Sequence, residues 1–133
     1  MRLFHIFLIV TVFCTSCKKD LVDATQNDID DVQSLESFKS EIKEGTTVVF
    51  YFASWCSVCE EFRPTVESVQ KSDDLTSVKC LEVEYDDNRD VFTDQGVNSF
   101  PQLVVYKDGL EQTRLIGKNH SEDEVRDTIK KFL

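Results

Sequence analysis

Hydrophobic and polar positions divide the chain into three stretches. Leu3 to Phe13 is almost wholly apolar. Lys18 to Asp31 (KKDLVDATQNDIDD) has few large apolar residues and no period, and from Val32 onward apolar positions recur at helix and strand spacings. In that last stretch Leu35, Phe38 and Ile42 fall on one side of a helix that Ser34 can cap and Gly45 can close. Thr46 to Ala53 (TTVVFYFA) is a continuous β-branched and aromatic run, the pattern of a strand buried on both faces. A helix is expected from Cys56, with Val58, Phe62, Val66 and Val69 at helical spacing. Pro64 falls inside it, removes one backbone donor and should kink it. Ser77 to Tyr85 reads as a strand, and Asp87 caps a short helix through Val91 and Phe92 that Gly96 ends. Gln102 to Tyr106 is another apolar strand. Lys107-Asp108-Gly109 marks a hairpin from which Glu111 to Ile116 returns antiparallel. Ser121 with Glu124 makes a capping box for a last helix that buries Val125, Ile129 and Phe132.

The order α, β, α, β, α, β, β, α, with a first strand near Val32, implies an α/β fold. Alternation brings parallel neighbours joined by crossover helices, and the late hairpin adds an antiparallel edge. The expected architecture is a central mixed β-sheet flanked by helices on both faces, formed by a single domain over residues 32–133.

The first stretch reads as an address. One positive charge, an apolar run too short to span a bilayer as a mature helix, and a small residue before Cys17 describe a signal peptide over residues 1–16. Cys14-Thr15-Ser16-Cys17 resembles a relaxed bacterial lipobox, which would make Cys17 a lipid anchor and the first mature residue. It departs from that pattern in having Cys14 where leucine is usual, and ordinary cleavage after Ser16 is the competing reading. Residues 17–31 then form a flexible tether. Either route exports the domain from the cytosol, as an envelope lipoprotein or a soluble secreted or lumenal protein, where disulfides persist.

Charge and cysteine usage narrow the chemistry. The formal net charge of -10 argues against nucleic-acid binding, which needs clustered Lys and Arg. Of the five cysteines, two end the leader, Cys80 stands alone, and Cys56 and Cys59 form a C-x-x-C. A lone C-x-x-C supplies two of the four ligands of a structural zinc, and His5 and His120 lack ligand-like spacing to it. No metal or organic cofactor is therefore expected. Cys80 reads as a small buried hydrophobe and His120 as a surface residue.

At a strand-to-helix junction the pair has a mechanical logic. Cys56 would sit at the helix amino terminus, where free N–H groups and the dipole favour a thiolate, with Cys59 one turn later. Cys56 can attack a disulfide and Cys59 can resolve the mixed disulfide, needing only a redox partner to reset the pair.

Val48-Val49-Phe50-Tyr51-Phe52-Ala53-Ser54-Trp55-Cys56-Ser57-Val58-Cys59 resembles the active-site strand and motif of the thioredoxin family. Pro64 falls where that family carries its helix-kinking proline, and Phe100-Pro101 matches its cis-proline. Gly109 and Gly117 fit the hairpin and the approach to the last helix. The likeness, over Val32 to Leu133, implies a thioredoxin fold. It also implies that Trp55 flanks the nucleophile, that Pro101 in cis lies against the cysteines, and that the backbone of Phe100 can pair with an extended substrate segment.

Two departures stand out. Relatives usually carry a buried carboxylate, used for proton transfer to the second thiol, six residues before the first cysteine; here that residue is Phe50. Glu82 occupies a place where thioredoxins often have lysine, and is a candidate proton acceptor. A solvated strand carboxylate is the other reading. Ser57-Val58 matches neither the Gly-Pro of typical cytosolic reductases nor the Gly-His of disulfide isomerases, which leaves the direction of exchange open.

The leading reading is an exported, monomeric thiol–disulfide oxidoreductase acting on protein disulfides or thiols and touching a membrane only through a lipid anchor. A dedicated reductase for one client shares that chemistry. The alternative is a non-catalytic thioredoxin-like module that holds extended peptides at the Pro101 groove.

Overall fold

The computed structural model describes residues 30–133. The expected signal peptide, the candidate anchor Cys17 and all but the end of the tether lie outside the described residues. Five strands form one sheet: β1 (Asp30–Asp31), β2 (Thr46–Phe52), β3 (Lys79–Glu84), β4 (Gln102–Lys107) and β5 (Leu110–Ile116). Four α-helices accompany them: α1 (Leu35–Glu41), α2 (Ser57–Gln70), α3 (Arg89–Asp94) and α4 (Glu122–Lys130). A short 3-10 turn, Asp73–Leu75, precedes β3.

The spatial order is β1-β3-β2-β4-β5. β1 and β2 run parallel to β3, whereas β4 is antiparallel to β2 and β5 to β4. β2 therefore lies in the middle, which accounts for its continuous apolar sequence. Val48 and Phe50 enter the core beneath α2 and α4; Val49 and Tyr51 enter the core beneath α1 and α3. The sheet begins at Asp30, so the last two residues of the expected tether pair with Leu81 and Glu82 of β3.

Local chemistry explains most helix ends. Ser34 caps α1 in a reciprocal box with Ser37, and Ser121 caps α4 by accepting from the Glu124 amide at 3.2 Å. The Glu124 carboxylate reaches His120 instead of closing the box. The short helix α3 is entered through Asn88 rather than the expected Asp87. Asp108 and Gly109 both adopt positive φ, 49° and 81°, in the hairpin, and Gly109 N–H donates to Ile42 O at 2.8 Å, tying this turn to the end of α1.

The helix α2 runs through Pro64 and buries Cys59, Phe62, Val66 and Val69. Val58, read from its spacing as part of that stripe, instead points outward at 39% exposure. Cys59 takes the inward place, one position along the turn.

Candidate redox site

The redox pair is positioned by the passage from β2 into α2. After Phe52 the chain turns, with Cys56 N–H donating to Ala53 O at 3.0 Å. Cys56 has an extended backbone (φ -91°, ψ 101°) and is the N-cap of α2, its Sγ accepting from the Cys59 amide at 3.2 Å. Cys56 and Cys59 are joined in a disulfide, their Cα atoms 5.3 Å apart. Cys56 is 9% exposed and Cys59 2%, so Cys56 is the less deeply buried of the two.

The N-cap geometry bears on reactivity. A thiolate at Cys56 would accept the Cys59 N–H and lie at the positive end of a helix of 14 residues. Glu60, in the first turn, opposes that effect, while Glu61 is ion-paired with Lys118.

Trp55, next to Cys56 in the chain, belongs to a cluster of aromatic rings with Phe100, Tyr85 and Phe92. Trp55 is 65% exposed, and its Nε1–H donates to Asp86 at 2.9 Å. Its ring meets Phe100 edge-on, with centroids 5.5 Å apart. Asp86 also accepts from Arg89 at 2.7 Å. Arg89 first, and Trp55 second, hold the Asp86 carboxyl below the usual aspartate range. Glu84 accepts from the Ser54 amide at 2.9 Å and fixes the turn before Trp55. Phe100 precedes a cis peptide to Pro101. Trp55, Tyr85, Arg89, Phe92, Val97 and Phe100 border an open cleft of about 590 Å³.

Phe50 is 1% exposed and stacks on Phe52 and against Phe62, so an apolar ring fills the place where the resemblance to thioredoxins implies a carboxylate. Its register partner on β3 is Glu82. Equal register on parallel strands puts both side chains on the α2 side of the sheet, the side that buries Cys59. Glu82 is 8% exposed and ion-paired with Arg63, so it is not the solvated carboxylate considered above. Arg63, one turn after Cys59 on α2, lies over the rings of Phe52 and Phe50, 4.6 and 5.4 Å from their centroids.

Sequence reasoning missed Arg63, Asp86 and Arg89. Arg63 stands four residues after Cys59, but its partner is visible only through the β2–β3 register. Cys80 packs at the margin of the core beneath α2, where burial pushes its thiol up to about 11 and keeps it protonated at neutral pH. His120 is half-buried, touching Glu124 and the Ile116 carbonyl. Among the described residues no His, Cys, Asp and Glu side chains gather as a metal site. Nor is any described helix long and apolar enough to cross a membrane.

A mixed sheet with a C-x-x-C disulfide where its central strand enters a helix, and a cis-proline just before its fourth strand, defines the thioredoxin-fold class of dithiol proteins. The family model described as Thioredoxin matches residues 29–131. Thioredoxin from Chlamydia caviae is 34% identical over 95 residues, 71% of this chain and 91% of that protein. Thioredoxin from Listeria monocytogenes is 28% identical over 115 residues, covering 86% and 98% of the two chains. Among solved structures, Fasciola hepatica thioredoxin superposes with a TM-score of 0.67 at 30% identity, covering 79% of this chain and all of that one. The chain belongs to the thioredoxin family.

Proposed function

We propose that this protein is a thiol–disulfide oxidoreductase acting on disulfides of other proteins outside the cytosol. The observation that carries the reading is the Cys56–Cys59 disulfide itself: Cys56 Sγ sits at the N-cap of α2 and accepts from the Cys59 amide. In the reducing direction the Cys56 thiolate attacks one sulfur of a substrate disulfide. A mixed disulfide forms and the first substrate thiolate leaves and takes a proton. Cys59, on losing its own proton, attacks Cys56 Sγ and expels the second substrate thiolate. The substrate gains two electrons, the protein dithiol becomes the disulfide, and an external dithiol partner restores it.

The substrate segment lies beside Trp55 and pairs with the backbone of Phe100, next to Pro101. Glu82 accepts the Cys59 proton. Its burial on the side of the sheet that holds Cys59 supports that role, and Arg63 holds the carboxylate in place through an ion pair. Export rests on the leader at residues 1–16, and anchoring rests on Cys17.

Insulin reduction with dithiothreitol as electron source tests the reading. The wild-type chain accelerates the reaction and Cys56→Ser abolishes the acceleration. Absence of cysteine-dependent turnover with insulin and with other protein disulfides would favour the binding-module alternative.

A further inference from the structure

The segment between α3 and β4, Gln95 to Pro101, carries Phe100 and forms one side of the cleft that Trp55, the residue before Cys56, also borders. It is gripped near both ends by side chains from the sheet. Gln102 is 1% exposed. Its Nε2 donates to the Ser99 carbonyl at 2.8 Å and to Ser99 Oγ at 3.0 Å, and its Oε1 accepts from Arg114 at 2.9 Å. Arg114, on the edge strand β5, also donates to the Gln95 carbonyl at 3.0 Å. Tyr106 O–H donates to the Gln95 side chain at 2.9 Å. Glu111 in turn orients Arg114, accepting from it through both carboxylate oxygens at 3.0 and 2.7 Å.

We propose that Gln102 and Arg114 are positioning residues for the exchange reaction, holding the Gln95–Ser99 backbone so that Phe100 is presented to a protein substrate in a preset conformation. The proposal rests on the oxidoreductase reading above. Gln102 holds the segment next to Phe100 and Arg114 holds its start, and the two side chains are bonded to each other. One polar unit thus fixes the segment from both ends. The amide of Gln102 is buried, so each contact removed leaves a polar group without its partner. A segment ordered in advance spares the substrate the cost of ordering it on binding. A small disulfide that reaches only the sulfurs gains nothing from that preset backbone.

The two substrate types therefore separate this role from a merely structural one. In Gln102→Glu the Oε1 contact to Arg114 can persist while the donors to Ser99 are lost. KM for insulin should rise about ten-fold, the scale of two lost neutral hydrogen bonds. Turnover of a small aromatic disulfide and the reduction potential of the Cys56–Cys59 couple should stay within about two-fold and within error of wild type. Arg114→Lys, on the partly exposed edge strand, should show the same split to a smaller degree, and carries the test alone if Gln102→Glu does not fold. Unchanged insulin KM in the folded variants would overturn the proposal. So would a parallel loss on both substrates or a shifted potential, either of which marks general damage to the site. A wild-type chain inactive on insulin would instead sink the oxidoreductase reading.

Discussion

With Phe50 six residues before Cys56, the second thiol needs a base from elsewhere. The ring is enclosed by Phe52 and Phe62 and offers no acceptor. Glu82, its neighbour across the β2–β3 register, is, among the described residues, the carboxylate buried on that side of the sheet, held by Arg63. If Glu82 takes the Cys59 proton, Glu82→Gln should slow resolution of the mixed disulfide on the order of 10²-fold near neutral pH, the low end for loss of a general base. It should also change the pH profile of that step. The first step, measured with Cys59→Ala, should be unaffected. A resolution profile identical to wild type would assign the deprotonation to water.

At the scale of elements, α2 joins chemistry and core. Cys56 caps it, Cys59 begins its inward stripe, and Phe62, Val66 and Val69 continue the stripe into the core shared with α4. Phe62→Ala should therefore lower stability in chemical denaturation by about 3–5 kcal/mol. Val58→Ala should change it by no more than about 0.5 kcal/mol, because that side chain faces outward. Equal losses at the two positions would contradict this orientation of the helix. Apolar spacing alone could not settle it, since Val58 and Cys59 both fit a stripe through Phe62. Whether cysteine counts as apolar decides which one is chosen. The strands, by contrast, were legible because β2 is apolar at successive positions and the Asp108-Gly109 turn requires positive φ. Asn88 displaced Asp87 at the start of α3 by a single position, within the ordinary ambiguity of a polar run.

For the whole molecule, the sequence carried the fold class and the cysteine pair because strand-to-helix alternation and C-x-x-C are local signals. What it did not carry is the set of partners brought together by the sheet order. Arg63 with Glu82, Trp55 with Asp86, and Arg114 with Gln95 and Gln102 are pairs separated by 12 to 31 residues. Their meeting follows from register and crossover, which no local pattern encodes. The acidic balance of the chain, -10 overall, does not by itself select a substrate.

The central claim is that Cys56 is the attacking sulfur and Cys59 the resolving one. Trapping the intermediate tests it most directly. Reduced Cys59→Ala and Cys56→Ala chains are each mixed with disulfide-bonded insulin, and covalent adducts are weighed by mass spectrometry without reductant. A mixed disulfide that accumulates with Cys59→Ala and is absent with Cys56→Ala is the predicted result. An adduct formed only by Cys56→Ala, or by neither chain, would contradict the assignment.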